Sequence, residues 1–465
     1  MTDTRTEQDS MGTVDVPAEA LYGPQTARAV ANFPVSGWTM PSDFIAALAL
    51  VKRAAAEAHR RAGRLDAAKA DAIIAAAEEV TNGTLDAHFP VDVFQTGSGT
   101  STNMNANEVI ARRAEQLLAE RGADAGPVHP NDDVNKGQSS NDVIPTAMHV
   151  AAGVAISGRL VPALAALRDA LAAKAREFDA VVKIGRTHLM DAVPVRLGQE
   201  FAGYAAGVDA GIARLSHAVD GLCELPIGGT AVGTGLNAPE GFAEEVCRIL
   251  ARRTGLPLRE PRDRFAAQGN REAALFASGA LRGVATTLGK VASDIRLLGS
   301  GPRCGLGELI LPAVQPGSSI MPGKVNPVIC ESVIQVACQV AGCDAAIAAG
   351  CAGGVGGLLE LNVAMPMMVW NLLTEVDLLT RAAEAFDARC VRGLKADEPR
   401  CRELVERSLA MVTALTPRIG YDAAAEIAKT AHESGRTIRE VCLERRVLPA
   451  DELHELLDAR KQTGE

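Results

Sequence analysis

Residues 271–298 read REAALFASGALRGVATTLGKVASDIRLL. Leu281, Val284, Leu288, Val291, Ile295 and Leu298 recur at alternating intervals of three and four, which lays an apolar stripe along a helix and suits shallow-angle packing in a bundle. No proline interrupts the run, so at 1.5 Å per residue it makes a helix about 40 Å long. The same period appears to either side. Residues 143–178 carry Leu160, Leu164, Leu167 and Leu171, and residues 197–222 carry Phe201, Tyr204, Val208, Ile212, Leu215, Val219 and Leu222. Two further runs, 327–349 and 358–386, bring the long helices to five. The pattern predicts an all-α chain built around a central bundle. Ala, Val and Leu fall on more than one face of these helices, so the remaining apolar surface is expected to be buried against other copies of the chain.

Around the bundle, residues 41–61, 66–80 and 105–121 read as Ala-rich helices after a polar, Pro-rich opening that runs to Trp38, and residues 400–409, 423–433 and 451–457 as shorter ones. The division expected is an N-terminal helical domain over 1–138, the bundle over 139–395 and a small C-terminal domain over 396–465, without internal repeats.

The 465 residues are 47% apolar and 22% charged, enough for a large core. A net charge of −10 argues against nucleic acid or an anionic membrane as partner. The opening segment lacks an apolar targeting core, and no run is read as a membrane span. Ten cysteines lie scattered without C-x-x-C pairs, and eight histidines without H-x-x-x-H. Reduced thiols, a cytoplasmic location and no metal are expected.

Polar loops interrupt the bundle. Residues 315–331, QPGSSIMPGKVNPVICE, gather Ser318, Ser319, Lys324 and Asn326 on a Gly/Pro-shaped loop ahead of a helix, with Asn326 the expected N-cap and Pro327 the first helical residue. Free N–H groups and the dipole at such an N-terminus favour a carboxylate or phosphate. Residues 89–104 are likewise rich in Gly, Ser and Thr before a helix, and Ser139, Ser140, Asn141 and Asp142 are capping residues ahead of the first long one. Loops after successive antiparallel helices alternate ends. The loops after the first and third long helices therefore share one end and the loop after the second lies at the other, which favours a site composed from several subunits.

Taken together, TGSGTSTNMN (96–105), HPNDDVNKGQSSND (129–142), GRTHLMDAVPVRLGQE (185–200), GGTAVGTGLN (228–237) and GSSIMPGKVNP (317–327) resemble, in order and over nearly the whole chain, the motif blocks of the fumarase/aspartase superfamily. THLMDA, GSGPRCG (299–305) and MPGKVNP look most like its class II fumarase branch.

The resemblance implies a homotetramer of three-domain, L-aspartase/fumarase-like subunits, each active site shared by three of them, that interconverts fumarate and L-malate without cofactor. It makes Ser318 the base for the carbon-bound proton and His188 the group that activates water, with Glu331 orienting His188. Lys324 and Asn326 would hold the carboxylate that gathers charge, and Ser98, Gly99, Thr100, Ser139, Ser140, Asn141, Thr187, Ser319 and Val325 would complete substrate binding. His129, Pro130, Asn131 and Asp132 resemble a second, non-catalytic anion site, although Gly126 stands where a basic residue is expected.

Other departures bear on substrate. Leu359 replaces an aromatic residue and is closer to aspartases, Ala266 replaces an acidic one, and Gly137 a serine. Two alternatives follow: an aspartate ammonia-lyase, against which His188 and the GPRCG block argue, and a catalytically silent structural protein on the same scaffold, against which Ser318, Lys324, Asn326, His188 and Glu331 argue.

Overall fold

The computed structural model describes residues 3–123 and 125–464. In chain order the helices are α1 (Pro24–Asn32), α2 (Ser42–Arg61), α3 (Ala67–Thr81), α4 (Thr100–Glu120), α5 (Ser140–Ala155), α6 (Val161–Glu177), α7 (Leu197–Leu222), α8 (Phe242–Thr254), α9 (Arg264–Gly269), α10 (Glu272–Leu298), α11 (Val328–Cys351), α12 (Met365–Arg389), α13 (Glu398–Arg407), α14 (Thr416–Ile419), α15 (Tyr421–Ser434), α16 (Ile438–Arg445) and α17 (Ala450–Leu456). Short antiparallel pairs join β1 (Thr4–Asp9) to β2 (Gly12–Pro17), β3 (Val182–Thr187) to β4 (Met190–Arg196), β5 (Leu309–Ile310) to β8 (Lys395–Ala396), and β6 (Gly357–Leu358) to β7 (Leu361–Asn362). Helix accounts for 63% of the chain, which is all-α as the periodicity predicts.

The five long helices are present. All six residues of the stripe at 281–298 are buried. α5 and α6 run on through a π-helical turn, Ile156–Leu160, as one apolar rod. The fifth helix starts at Met365 rather than at 358, because residues 357–362 turn back as β6 and β7. α4 starts five residues early, at Thr100, since Gly99 at φ 73° opens the helix. The polar opening contains the β1–β2 hairpin and α1, whose first residue is proline. Ser140–Glu177 and Val328–Cys351 are, by length and composition, apolar enough to cross a membrane, which the sequence reading did not anticipate; over half of the most apolar stretch of the first is buried within the chain.

Two compact units emerge from the contacts. Residues 1–162, 213–283 and 338–380 form one. In it α2 packs on α3, α5 and α8, and α3 on α4, around Phe44, Leu48, Ile73, Ile110, Ile144 and Met148. Each such buried side chain contributes about 1.5–3 kcal/mol. Asp66 caps α3 by accepting from the N–H groups of Ala68 and Lys69. Residues 163–212, 284–337 and 381–465 form the other. Its apolar cluster joins Ile184 of β3 to Val405, Met411, Leu415, Ile427, Val441 and Leu453.

Candidate active site

Two sets of polar groups stand out, one in each unit. In the first unit, α4 and α5 begin beside one another: Thr100 and Ser140, their first residues, are joined Oγ1 to Oγ at 2.7 Å. Ser98 Oγ lies 2.7 Å from Thr100 Oγ1, so three hydroxyls form a chain across two helix N-termini. Gly99 is required there, because a Cβ would meet Ile144 at 2.9 Å as well as a positive φ. Ser139 caps α5: its Oγ accepts from Asn141 N at 3.2 Å, while its own N–H donates to Asp142 Oδ1 at 2.9 Å. Asn141 Nδ2 donates to the carbonyl of Ala231, tying this turn to the 228–237 loop. Two dipole-positive ends with fixed donors suit a carboxylate.

The second unit carries the remaining groups. The loop over 317–326 is closed at its base, where Gly317 N donates to Lys324 O at 2.7 Å and Asn326 Nδ2 donates to Gly317 O at 2.7 Å. Asn326 therefore ties the loop instead of capping α11. Pro327 O accepts the first α-helical bond, from Glu331 N, and the helix starts at Val328. Within the loop, Ser318 Oγ accepts the N–H groups of Ile320 (3.2 Å) and Met321 (3.0 Å). Ser319, Lys324 and Val325 are exposed, and Glu331 lies half-buried in the first turn of α11.

His188 sits at the tip of the β3–β4 hairpin. Thr187 pairs with Met190, leaving His188 (φ 56°) and Leu189 (φ 62°) as a two-residue turn with both residues left-handed, the type I′ geometry that Asn-Gly normally supplies. Such conformations cost about 1–3 kcal/mol each in residues other than glycine and persist only where the surroundings impose them. Here Arg186 grips Glu308 with two hydrogen bonds, at 2.8 and 3.0 Å. Lys183 reaches Glu200 at 2.9 Å and Glu308 at 3.5 Å. Lys183 and Glu308 are buried, so the pairing holds the base of the hairpin rigid. No hydrogen bond or ion pair among the described residues joins His188 to Glu331.

His129 caps a π-helical turn, Pro130–Val134, where its Nδ1 accepts from the N–H groups of Asn131 and Asp132. The groove beside it, about 440 Å³, is lined by Glu7, Asp9, Glu108 and Glu115 as well as Arg112, an acidic surround for an anion. Among the described residues no three His, Cys, Asp or Glu side chains gather as a metal site. Of the groups that order the site, Glu308 carries no signal in the sequence; Asp142 is legible there as a capping residue, which the capping box of α5 bears out, but not as the partner of Gly228 and Thr230.

The chain matches the family described as lyase over residues 12–342 and a fumarase C C-terminal family over residues 411–464. It is 53% identical over 460 residues to a protein described as fumarate hydratase class II 2 from Bradyrhizobium diazoefficiens, covering 99% of this chain and 97% of the relative. A crystal structure of class II fumarase from Schistosoma mansoni superposes with a TM-score of 0.95 at 40% identity, covering 99% of each chain. A structure described as fumarate lyase:delta crystallin from Brucella melitensis gives 0.93 at 46% identity, with both chains fully covered. Fold and comparisons define a lyase; within the lyases, the chain belongs to the class II fumarate hydratase family.

Proposed function

We propose that the protein catalyses the reversible anti addition of water to fumarate, giving L-malate in the tricarboxylic acid cycle, as a cytoplasmic homotetramer with active sites shared between subunits. In the malate-to-fumarate direction Ser318 Oγ removes the proton from the carbon next to one carboxylate, and the electron pair passes into that carboxylate as an aci-carboxylate dianion. Lys324 and Asn326 hold the charge. Collapse of the dianion expels the hydroxyl from the neighbouring carbon; His188, oriented by Glu331, protonates it to water. Hydration is the reverse. Thr100, Ser139, Ser140, Asn141 and Thr187 hold the substrate's carboxylates, and Ser98, Gly99, Ser319 and Val325 complete the pocket.

Ser318 carries this proposal. A serine is a feeble base unless its alkoxide is stabilised, and two backbone N–H groups already converge on its Oγ. The shared site rests on the loops themselves. Each presents an exposed apolar residue beside its polar ones, Leu189 at 77%, Ile320 at 83% and Leu359 at 83% exposure, and His188 lacks a contact with Glu331 that a neighbouring subunit would supply.

The test is to add purified protein to fumarate, with and without ammonium, and to assay malate and aspartate. Malate formed without ammonium is expected. Aspartate formed only with ammonium would make the protein an ammonia-lyase on the same site, and no product in either case would leave a silent scaffold.

A further inference from the structure

We infer that Asp142 and Lys52, two fully buried charged side chains outside the reacting groups, are positioning residues that hold the substrate-binding turn Ser139–Asn141 and the adjoining 228–237 loop in register. The inference rests on the substrate-binding role given to that turn above.

Asp142 spends both carboxylate oxygens on backbone. Oδ1 accepts from Ser139 N at 2.9 Å and closes the capping box of α5; Oδ2 accepts from Gly228 N and Thr230 N, each at 2.9 Å. One side chain thereby clamps two loops that are distant in sequence, and Gln268 Nε2 holds the second from its other side through Thr230 O at 2.7 Å.

Lys52, on α2, works on the approach to the same turn. Its Nζ donates to Asn135 Oδ1 at 2.7 Å and to Gln138 Oε1 at 3.1 Å. Asn135 in turn donates to Gln138 O, and Gln138 to the carbonyls of Val134 and Lys136, so residues 134–138 are fixed immediately before Ser139. Among the described residues neither ion has a salt-bridge partner at its charged atoms; each bonds neutral groups.

That arrangement is costly. Burial drives the Lys52 ammonium down to about 7, opposed by the field of Asp142, and pushes the Asp142 carboxyl up to about 6 against its three N–H donors. A core built for stability alone would use apolar side chains here. What the charges supply is direction: strong, short bonds to chosen backbone atoms of the turn that meets the substrate.

The test compares Lys52→Met and Asp142→Asn with Lys174→Met, which removes a buried lysine whose hydrogen bonds go to Glu177 and the carbonyl of Leu394 rather than to this turn. Gln138→Leu serves as a fourth variant should either of the first two fail to fold. Fumarate kinetics and calorimetric binding of succinate, which cannot react, are measured on each folded protein. The expected result is a KM raised about tenfold with kcat within about threefold, and succinate binding weakened by a similar factor, in the first two or in Gln138→Leu, because ground state and transition state lose the same carboxylate contacts. Lys174→Met changes neither, whatever it does to thermal stability. Wild-type KM and succinate affinity in the folded variants would overturn the inference. Loss of succinate binding in variants of a protein that makes no malate would uphold it and refute the assigned reaction instead.

Discussion

Ser318 shows what a loop can do for a single oxygen. In water its hydroxyl would be useless as a base, but its Oγ already faces two N–H groups and shares a closed loop with Lys324. On the proposed mechanism Ser318→Ala removes the base and keeps the loop, since Gly317 and Asn326 make the closing bonds. Turnover should fall by about two to four orders of magnitude, with the secondary structure unchanged by circular dichroism. Near-normal turnover would move the proton abstraction to another group. The sequence points to Ser318 through its motif, yet the donors on its Oγ are backbone atoms that any residue would supply, so no residue type announces them. Asn326 misled for a related reason. A side chain that can cap a helix can equally bond a carbonyl nine residues back, and local sequence does not say which.

Among the elements, long helices were legible and hairpins were not. Helix periodicity repeats over many turns, so the stripe at 281–298 and the rod of α5 and α6 announced themselves. The β3–β4 hairpin hides because its turn is His188-Leu189 rather than Asn-Gly and because Gly185 sits at a register shift. The conformation is imposed by Arg186 and Glu308, which come together from 122 residues apart. The bundle helices carry another unannounced feature. Ser278 Oγ on α10 lies 2.9 Å from Asp344 Oδ1 on α11 and 3.0 Å from Glu375 Oε1 on α12. Burial pushes the fully buried Glu375 carboxyl up to about 9, with Asp344 adding to the rise and Ser278 and Arg282 opposing it. Unfolding releases that proton between the ordinary carboxyl value of 4.5 and about 9, so this group's contribution to stability is complete below the lower value and is lost as pH rises towards the upper one. Glu375→Gln cannot titrate. Its melting temperature should therefore gain on that of the unsubstituted chain between about pH 5 and about pH 9, by at most about 1.4 kcal/mol per pH unit in free energy. A difference that stays flat with pH would mean that Glu375 is ionised in the native bundle.

For the molecule as a whole, the central proposal is that the chain holds every group needed but cannot assemble them alone. His188 and Ser318 stand on separate loops, the one at the β3–β4 turn and the other ahead of α11. Their loops carry exposed leucine and isoleucine, surface that another subunit would bury. The alternation of loop ends along a bundle already argued for this at the level of sequence; the missing contact between His188 and Glu331 is what the structure adds.

The most direct test co-expresses Ser318→Ala and His188→Asn chains under different tags and isolates the mixed oligomers. Each parent should be nearly inactive. If a site takes Ser318 and His188 from different subunits, random mixing leaves up to about a quarter of sites with both groups intact, and malate formation should return to that fraction of the unsubstituted enzyme. Mixed oligomers no more active than their parents would contradict the shared site.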